Sequence, residues 1–188
     1  MHRLRYIFEL KHMHRLVLIL LPLIMILSCQ IPLLSKRAKT TLNVSKDYAL
    51  QRVNEIRAKG CKCGNKYYRP VGKLTWNEVL EKTAVSHAFE MNKYDFFSHK
   101  SRKGEDVGDR FSIAGYKWQY AGENLAVGQK TFDEALKDWV KSSTHCKMLM
   151  NSDMKEMGIS RYGKYWVQHF GKKLPPKTRR KNVRYREG

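Results

Sequence analysis

Two histidines and a carboxylate, His99, Glu123 and His145, arrive from three separate segments of this 188-residue chain. Their side-chain types suit a shared polar site. Neutral imidazoles together with a carboxylate can hold a divalent ion such as zinc and leave a position for water. The same trio can move protons without a metal, because histidine titrates near neutrality. Plainer readings stand beside these. Glu123 can instead accept backbone N–H bonds from neighbouring loops, and the two roles are compatible. Ser142, three residues before His145, can be read as a nucleophile beside the imidazole, but a serine at a helix end is more often a cap. His87 lies beside an apolar helical face and is left outside the site, as a core or rim histidine.

Other motifs fail on inspection. Gly158 to Lys164 spells Gly-x-x-x-x-Gly-Lys, yet Tyr165 follows where a phosphate loop needs Ser or Thr, and the run falls between two strands. The chain contains neither His-Glu-x-x-His nor Gly-x-Ser-x-Gly, so the familiar zinc-protease and serine-hydrolase routes lack support.

The elements that must position these side chains are legible from periodicity. Ser45 caps a helix running to about Lys59, with Ala49, Leu50, Val53 and Ile56 at helical spacing and Gly60 as its stop. Cys61 to Lys73 reads as a loop. A second helix follows Asn77 and gathers Leu80, Ala84, Ala88 and Met91 on one face. The loop from Asp95 to Glu105 carries His99 and turns at Gly104. Asp106 to Ala114 reads as a short helix ended by Gly115. Gln119 to Val127 reads as a strand interrupted by Gly122, which brings Glu123 to a close backbone approach. Thr131-Phe132-Asp133-Glu134 is a capping box opening a helix to Lys141, whose Ala135, Leu136 and Trp139 face the core. Thr144 to Met150 forms a further short helix. Glu156 to Tyr162 and Lys164 to Gly171 form a hairpin around Gly163. Together these predict a mixed α+β domain with helices packed on a small sheet.

The ends of the chain have a different character. Arg3, Arg5, Lys11 and Arg15 precede an apolar run from Leu16 to Leu27, too short to span a bilayer comfortably, so residues 1–28 read as a signal peptide. Ile26-Leu27-Ser28-Cys29 is similar to a bacterial lipobox, with Cys29 as the lipidated residue. Met-His-Arg-Leu occurs at both Met1 and Met13, so either methionine can be the start. Residues 29–44 read as a polar tether between lipid and a domain over 45–172. The formal charge is +20, of which residues 1–28 contribute four Lys/Arg and one Glu, leaving about +17. Such a charge attracts anionic surfaces, lipid headgroups or envelope polysaccharide. Much of it sits in a basic tail, residues 173–188, whose Pro175-Pro176 favours a solvated, disordered state. No nucleic-acid recognition motif accompanies it, and export argues against such a partner. With Cys29 assigned to lipid, Cys61, Cys63 and Cys146 remain in a disulfide-permissive compartment. A Cys61–Cys63 bridge closes a very small, strained ring, so a long-range bridge to Cys146 is expected. A zinc site from Cys61, Cys63, Cys146 and His145 competes, weakly, because residues 145 and 146 project in different directions from a helix.

Seven strings fall in one order: Leu74-Thr75-Trp76-Asn77, Phe96-Phe97-Ser98-His99, Ala114-Gly115-Tyr116, Gly122-Glu123-Asn124, Trp139 through His145, Met157-Gly158-Ile159 and Tyr165-Trp166-Val167-Gln168. Over Tyr48 to Gly171 the chain resembles the CAP superfamily (cysteine-rich secretory proteins, antigen 5 and group-one pathogenesis-related proteins; the SCP domain), and its short bacterial lipoprotein members in particular. The resemblance implies a three-layer α/β/α sandwich with a small central sheet. It implies a cleft lined by His99, Glu123 and His145, where the family usually adds a second glutamate. That glutamate falls at Ser142 here, which puts any mechanism needing paired carboxylates in doubt. It also implies the disulfide Cys63–Cys146, leaving Cys61 free. The expected function is an exported, membrane-anchored binding or interaction module of the bacterial envelope. Its cleft is able to hold a divalent metal such as zinc, the histidines otherwise being structural, and its ligand is expected to be lipid-like or an anionic envelope component. The alternative is a metal-assisted hydrolase of peptide or envelope polymer.

Overall fold

The structure, a computed structural model, describes residues 45–176. The signal, Cys29, the tether and the tail from residue 177 onward lie outside the described residues. Helix α1 (Lys46–Lys59) opens on Ser45, whose hydroxyl accepts from the Tyr48 N–H, and ends at Gly60 with φ 77°. A short ribbon follows, β1 (Cys61–Cys63) paired antiparallel with β2 (Lys66–Tyr68), in the stretch expected to be a loop. Three residues per strand are too few to show a period of two, so this ribbon carries no pattern to read.

Next come β3 (Thr75–Trp76), α2 (Glu78–Tyr94), α3 (Val107–Ile113), β4 (Trp118–Val127), α4 (Phe132–Lys141), α5 (Ser143–Leu149), β5 (Glu156–Tyr162) and β6 (Tyr165–Lys173). The main sheet has the order β3-β5-β6-β4, with β3 parallel to β5 and the other pairs antiparallel. The alternation of β6 explains the layering. Tyr165 and Val167 pack with Ala84, Ala88 and Met91 of α2 and Leu125 of β4. Trp166 and Phe170, pointing the other way, pack with Val53 of α1, Trp139 of α4 and Leu149 of α5. Two helical layers therefore enclose one sheet, and the strand that stays at its edge beside the cleft is β4.

Local differences from the sequence expectations have physical causes. Gly122 does not interrupt β4: its register with β6 runs unbroken from Tyr120 to Val127. What Gly122 provides is room, because a Cβ there would collide with the Met148 thioether of α5. At α4, Thr131 caps the Glu134 N–H, but the Glu134 carboxylate accepts from Lys130 N rather than closing a capping box. The reciprocal box forms instead at α3, between Asp106 and Asp109. Strand β6 reaches Lys173, which pairs with Trp118, so the first residue of the expected tail belongs to the sheet. Among the described residues no helix is long and apolar enough to cross a membrane.

Candidate functional site: a buried carboxylate behind two histidines

Glu123 stands on β4 directly opposite His169 on β6, on the face that looks toward α2 and α3. The Glu123 side chain is 2% exposed, and both of its oxygens accept hydrogen bonds. Its Oε1 accepts from His99 Nδ1 at 2.6 Å. Its Oε2 accepts from Arg110 Nη2 at 2.6 Å and from His169 Nε2 at 2.9 Å. His87 of α2 brings its Nε2 within 3.9 Å of the same oxygen while donating to the Ser98 carbonyl at 2.9 Å. Burial alone would push the Glu123 carboxyl up, but the hydrogen bonds from His169 and His99 and the Arg110 charge outweigh it and hold the group far below the usual carboxylate range. Glu123 is therefore a permanent anion at neutral pH.

The same neighbours hold the His99 loop. Arg110 Nη1 donates to the carbonyls of His99 and Glu105, both at 3.0 Å. The Ser101 hydroxyl donates to the Glu105 carboxylate, and Gly104 turns with φ 85°. With Nδ1 committed to Glu123, the His99 ring directs Nε2 outward, and 61% of its side chain is exposed. The bond to Glu123 raises the His99 pKa above the ordinary imidazole value.

His145 reaches the cleft from the opposite layer. It sits on α5, and its carbonyl accepts from Asn124 Nδ2 of β4 at 3.3 Å. Because β4 is an edge strand, a loop from one layer and a short helix from the other can approach across it. The His145 pKa is lowered, by burial first and then by the charge of neighbouring His99, so this imidazole is neutral at physiological pH. Ser142 occupies the N-cap position of α5, but its side chain makes no capping hydrogen bond. The expected cap is thus one of position only.

His99, with Nδ1 bonded to Glu123, and the neutral His145 are imidazoles of the type a divalent metal takes. Both Glu123 oxygens accept hydrogen bonds from fixed neighbours, so the structural role that the sequence allows this carboxylate is present. Those neighbours are side chains, not the backbone N–H groups anticipated. Among the described residues, the three ligand atoms lying within 4.8 Å of one another belong to Cys61, Cys63 and Cys146. The structure contains the Cys63–Cys146 disulfide, with Cα atoms 5.3 Å apart, and among the described residues Cys61 is left free.

Three members of the cluster are not expected from sequence: His87, Arg110 and His169. The alternation of Tyr165, Val167 and His169 places an imidazole on a strand face packed by helices, and such a group demands a partner. His87, beside an apolar stripe, reads as a core or rim residue, and it is buried. Arg110, on a short helix among acids, carries no signal of its own.

A layered fold with a histidine–carboxylate cluster at the rim of its sheet is the SCP-type arrangement. The model of the CAP family, the cysteine-rich secretory protein family, matches residues 50–170, and the chain belongs to that family. It is 31% identical over 138 residues to the uncharacterized membrane protein YlbC of Bacillus subtilis (strain 168), covering 73% of this chain and 36% of that protein. An extracellular SCP-domain protein of Bacillus anthracis str. Ames superposes with a TM-score of 0.56 at 26% identity, over 68% of this chain and 41% of that one. An outer surface protein of Borrelia burgdorferi shares the fold with a TM-score of 0.58 at 22% identity, over 68% of this chain and 92% of that one. The chain thus spans well under half the length of the two Bacillus proteins.

Proposed function

We propose that this CAP domain is an exported binding module whose cleft presents His99 Nε2 and His145 to a divalent metal such as zinc, with Glu123 behind His99 as its positioning carboxylate. The observation that carries the reading is the engagement of both Glu123 oxygens by His99, Arg110 and His169, in a side chain only 2% exposed. A carboxylate that commits its acceptor capacity to fixed neighbours is not free to take a proton from water. A metal held there would supply Lewis acidity and a charge for an anionic ligand group. The chain's own residues do the positioning: Glu123 fixes the His99 tautomer, Arg110 holds the His99 carbonyl, and burial keeps His145 neutral.

Export is supported by two relatives, one an extracellular protein and the other a membrane protein. Lipid anchoring through Cys29 belongs to the same proposal, and so does an anionic or lipid-like envelope ligand drawn by the charge of about +17 outside residues 1–28. The hydrolase reading retains one favourable observation, the His99–Glu123 pair, which orients an imidazole for proton transfer. Ser142 at the position of the family's second glutamate weighs against it. Zinc titration of the folded protein, with His99→Ala and His145→Ala as controls, tests the binding reading. Product release from an envelope polymer by zinc-loaded protein, abolished in His145→Ala, would favour the hydrolase.

A further inference from the structure

The sulfur cluster on the far side of α5 is separate from the cleft. Cys146 is fully buried and bonded to Cys63, itself buried. The third sulfur, Cys61 Sγ, lies 3.5 Å from Cys146 Sγ, and all three sulfurs fall within 4.8 Å of one another. Cys61 and Cys63 are neighbours on the same face of β1, two residues apart, so both look at α5. Cys61 is half-exposed and lines a groove of about 780 Å³ between α1 and α4, together with Ile56, Lys59, Leu136, Val140 and Lys141. Cys63 instead packs among Met150, Tyr68 and Val71.

We propose that Cys61, Cys63 and Cys146 form a thiol–disulfide exchange site in which the bridge moves between Cys63–Cys146 and Cys61–Cys146. Cys61 loses its proton to a solvent base, and a rotation about its Cα–Cβ bond brings the thiolate onto the line of the existing bridge. Its lone pair forms the Cys61–Cys146 bond. The electron pair of the Cys63–Cys146 bond leaves on Cys63 Sγ, which takes up a proton from solvent. No electron is gained or lost, so no oxidant or reductant is required. Either bridge ties β1 to α5. What changes is the free thiol, which stands at the groove rim in one form and among buried apolar side chains in the other. The exchange thereby exposes or withdraws a reactive sulfur without opening the fold. Burial raises the Cys61 pKa, which keeps the thiolate scarce at neutral pH and makes exchange faster as pH rises.

The test uses the oxidised, full-length protein without added thiol or oxidant. Samples held at pH 6.5, 7.5 and 8.5 are quenched in acid, unfolded, alkylated and digested without reduction. Cleavage after Lys62 places Cys61 and Cys63 on different peptides, so the two bridges are distinguished by mass. We expect a Cys61–Cys146 pair in at least about a tenth of molecules. We expect its rate of appearance to rise about tenfold per pH unit below the thiol pKa, with no dependence on protein concentration. Oxidised Cys63→Ser is expected to form the Cys61–Cys146 bridge within one chain. Wild type that retains only Cys63–Cys146 at every pH overturns the proposal, whatever the variant does. A rate that scales with protein concentration also overturns it, because the attack would then come from another molecule.

Discussion

At Glu123, one carboxylate joins a strand, a loop and a short helix, and its charge is the reason they stay joined. Replacing it by glutamine keeps the shape but leaves Arg110 buried without its counter-charge. Loss of one partner of a buried pair costs about 3–5 kcal/mol, so Glu123→Gln should lower the unfolding free energy by that order in urea titration. The pH dependence has a definite sign. His87, His145 and His169 have lowered pKa values, with burial as the first cause in each. Their contribution is complete above the unfolded value near 6.5 and is lost as pH falls below it. Glu123, held low, adds a further loss as pH drops below its ordinary 4.5. His99 runs the opposite way: its raised pKa stabilises below 6.5 and is lost as pH climbs through the folded value. Stability measured between pH 7.5 and 4 should therefore decline steadily, with three histidines outweighing one. A profile that rises toward acid would contradict this assignment. At this scale the sequence reveals some members of the cluster but not the bonds that join them. His99, Glu123 and His145 are legible as polar residues in ordered motifs. The bonds of Glu123 to Arg110 and His169 depend on strand register and on where α3 docks, which linear spacing does not encode.

Among the elements, α1 is held by a residue that no periodicity singles out. Arg57 is fully buried and donates to the carbonyls of Gly72, Leu149, Asn151 and Met154, with no carboxylate partner among the described residues. Burial draws its pKa down to about 10, so it remains charged at neutral pH. Arg57→Met should cost about 3 kcal/mol or more, because several buried acceptors lose their donor together. A loss below about 1 kcal/mol in the same urea titration would show that water replaces the guanidinium. Helix boundaries are largely legible because caps and apolar stripes are local: Ser45, Asn77 and Asp106 each accept helix N–H bonds. The β1–β2 ribbon and the two-residue β3 are not, since their pairing partners supply what their own short sequences lack.

For the whole molecule, the layered fold places the cleft at the open edge of β4, while the apolar core closes on both faces of the sheet. The proposed anchoring through Cys29 is tested at this scale. Metabolic labelling with an alkynyl fatty acid should tag the wild type in a bacterial host and lose the tag in Cys29→Ser, since durable attachment needs two or more acyl chains on one residue or an added signal. Equal labelling of both would remove the lipid from the account. The strings spread from Leu74 to Gln168 make the family legible, because each holds a different element in place. A ligand is not legible, for the proposed cleft is a surface that three elements share.

The central claim is that two imidazoles bind and one carboxylate positions. Isothermal titration of zinc into the folded protein at pH 7.5 tests it most directly, with circular dichroism confirming that each variant is folded. The wild type should take up one ion, and affinity should rise between pH 6 and 8 as His99 sheds its proton. His99→Ala and His145→Ala should each lose measurable uptake. Glu123→Gln, measured while folded, should weaken binding by about 10- to 100-fold, the cost of losing an orienting partner rather than a ligand. Ser142→Ala should leave affinity within about twofold, a change of roughly 0.4 kcal/mol. Zinc affinity unchanged in both histidine variants would contradict the account.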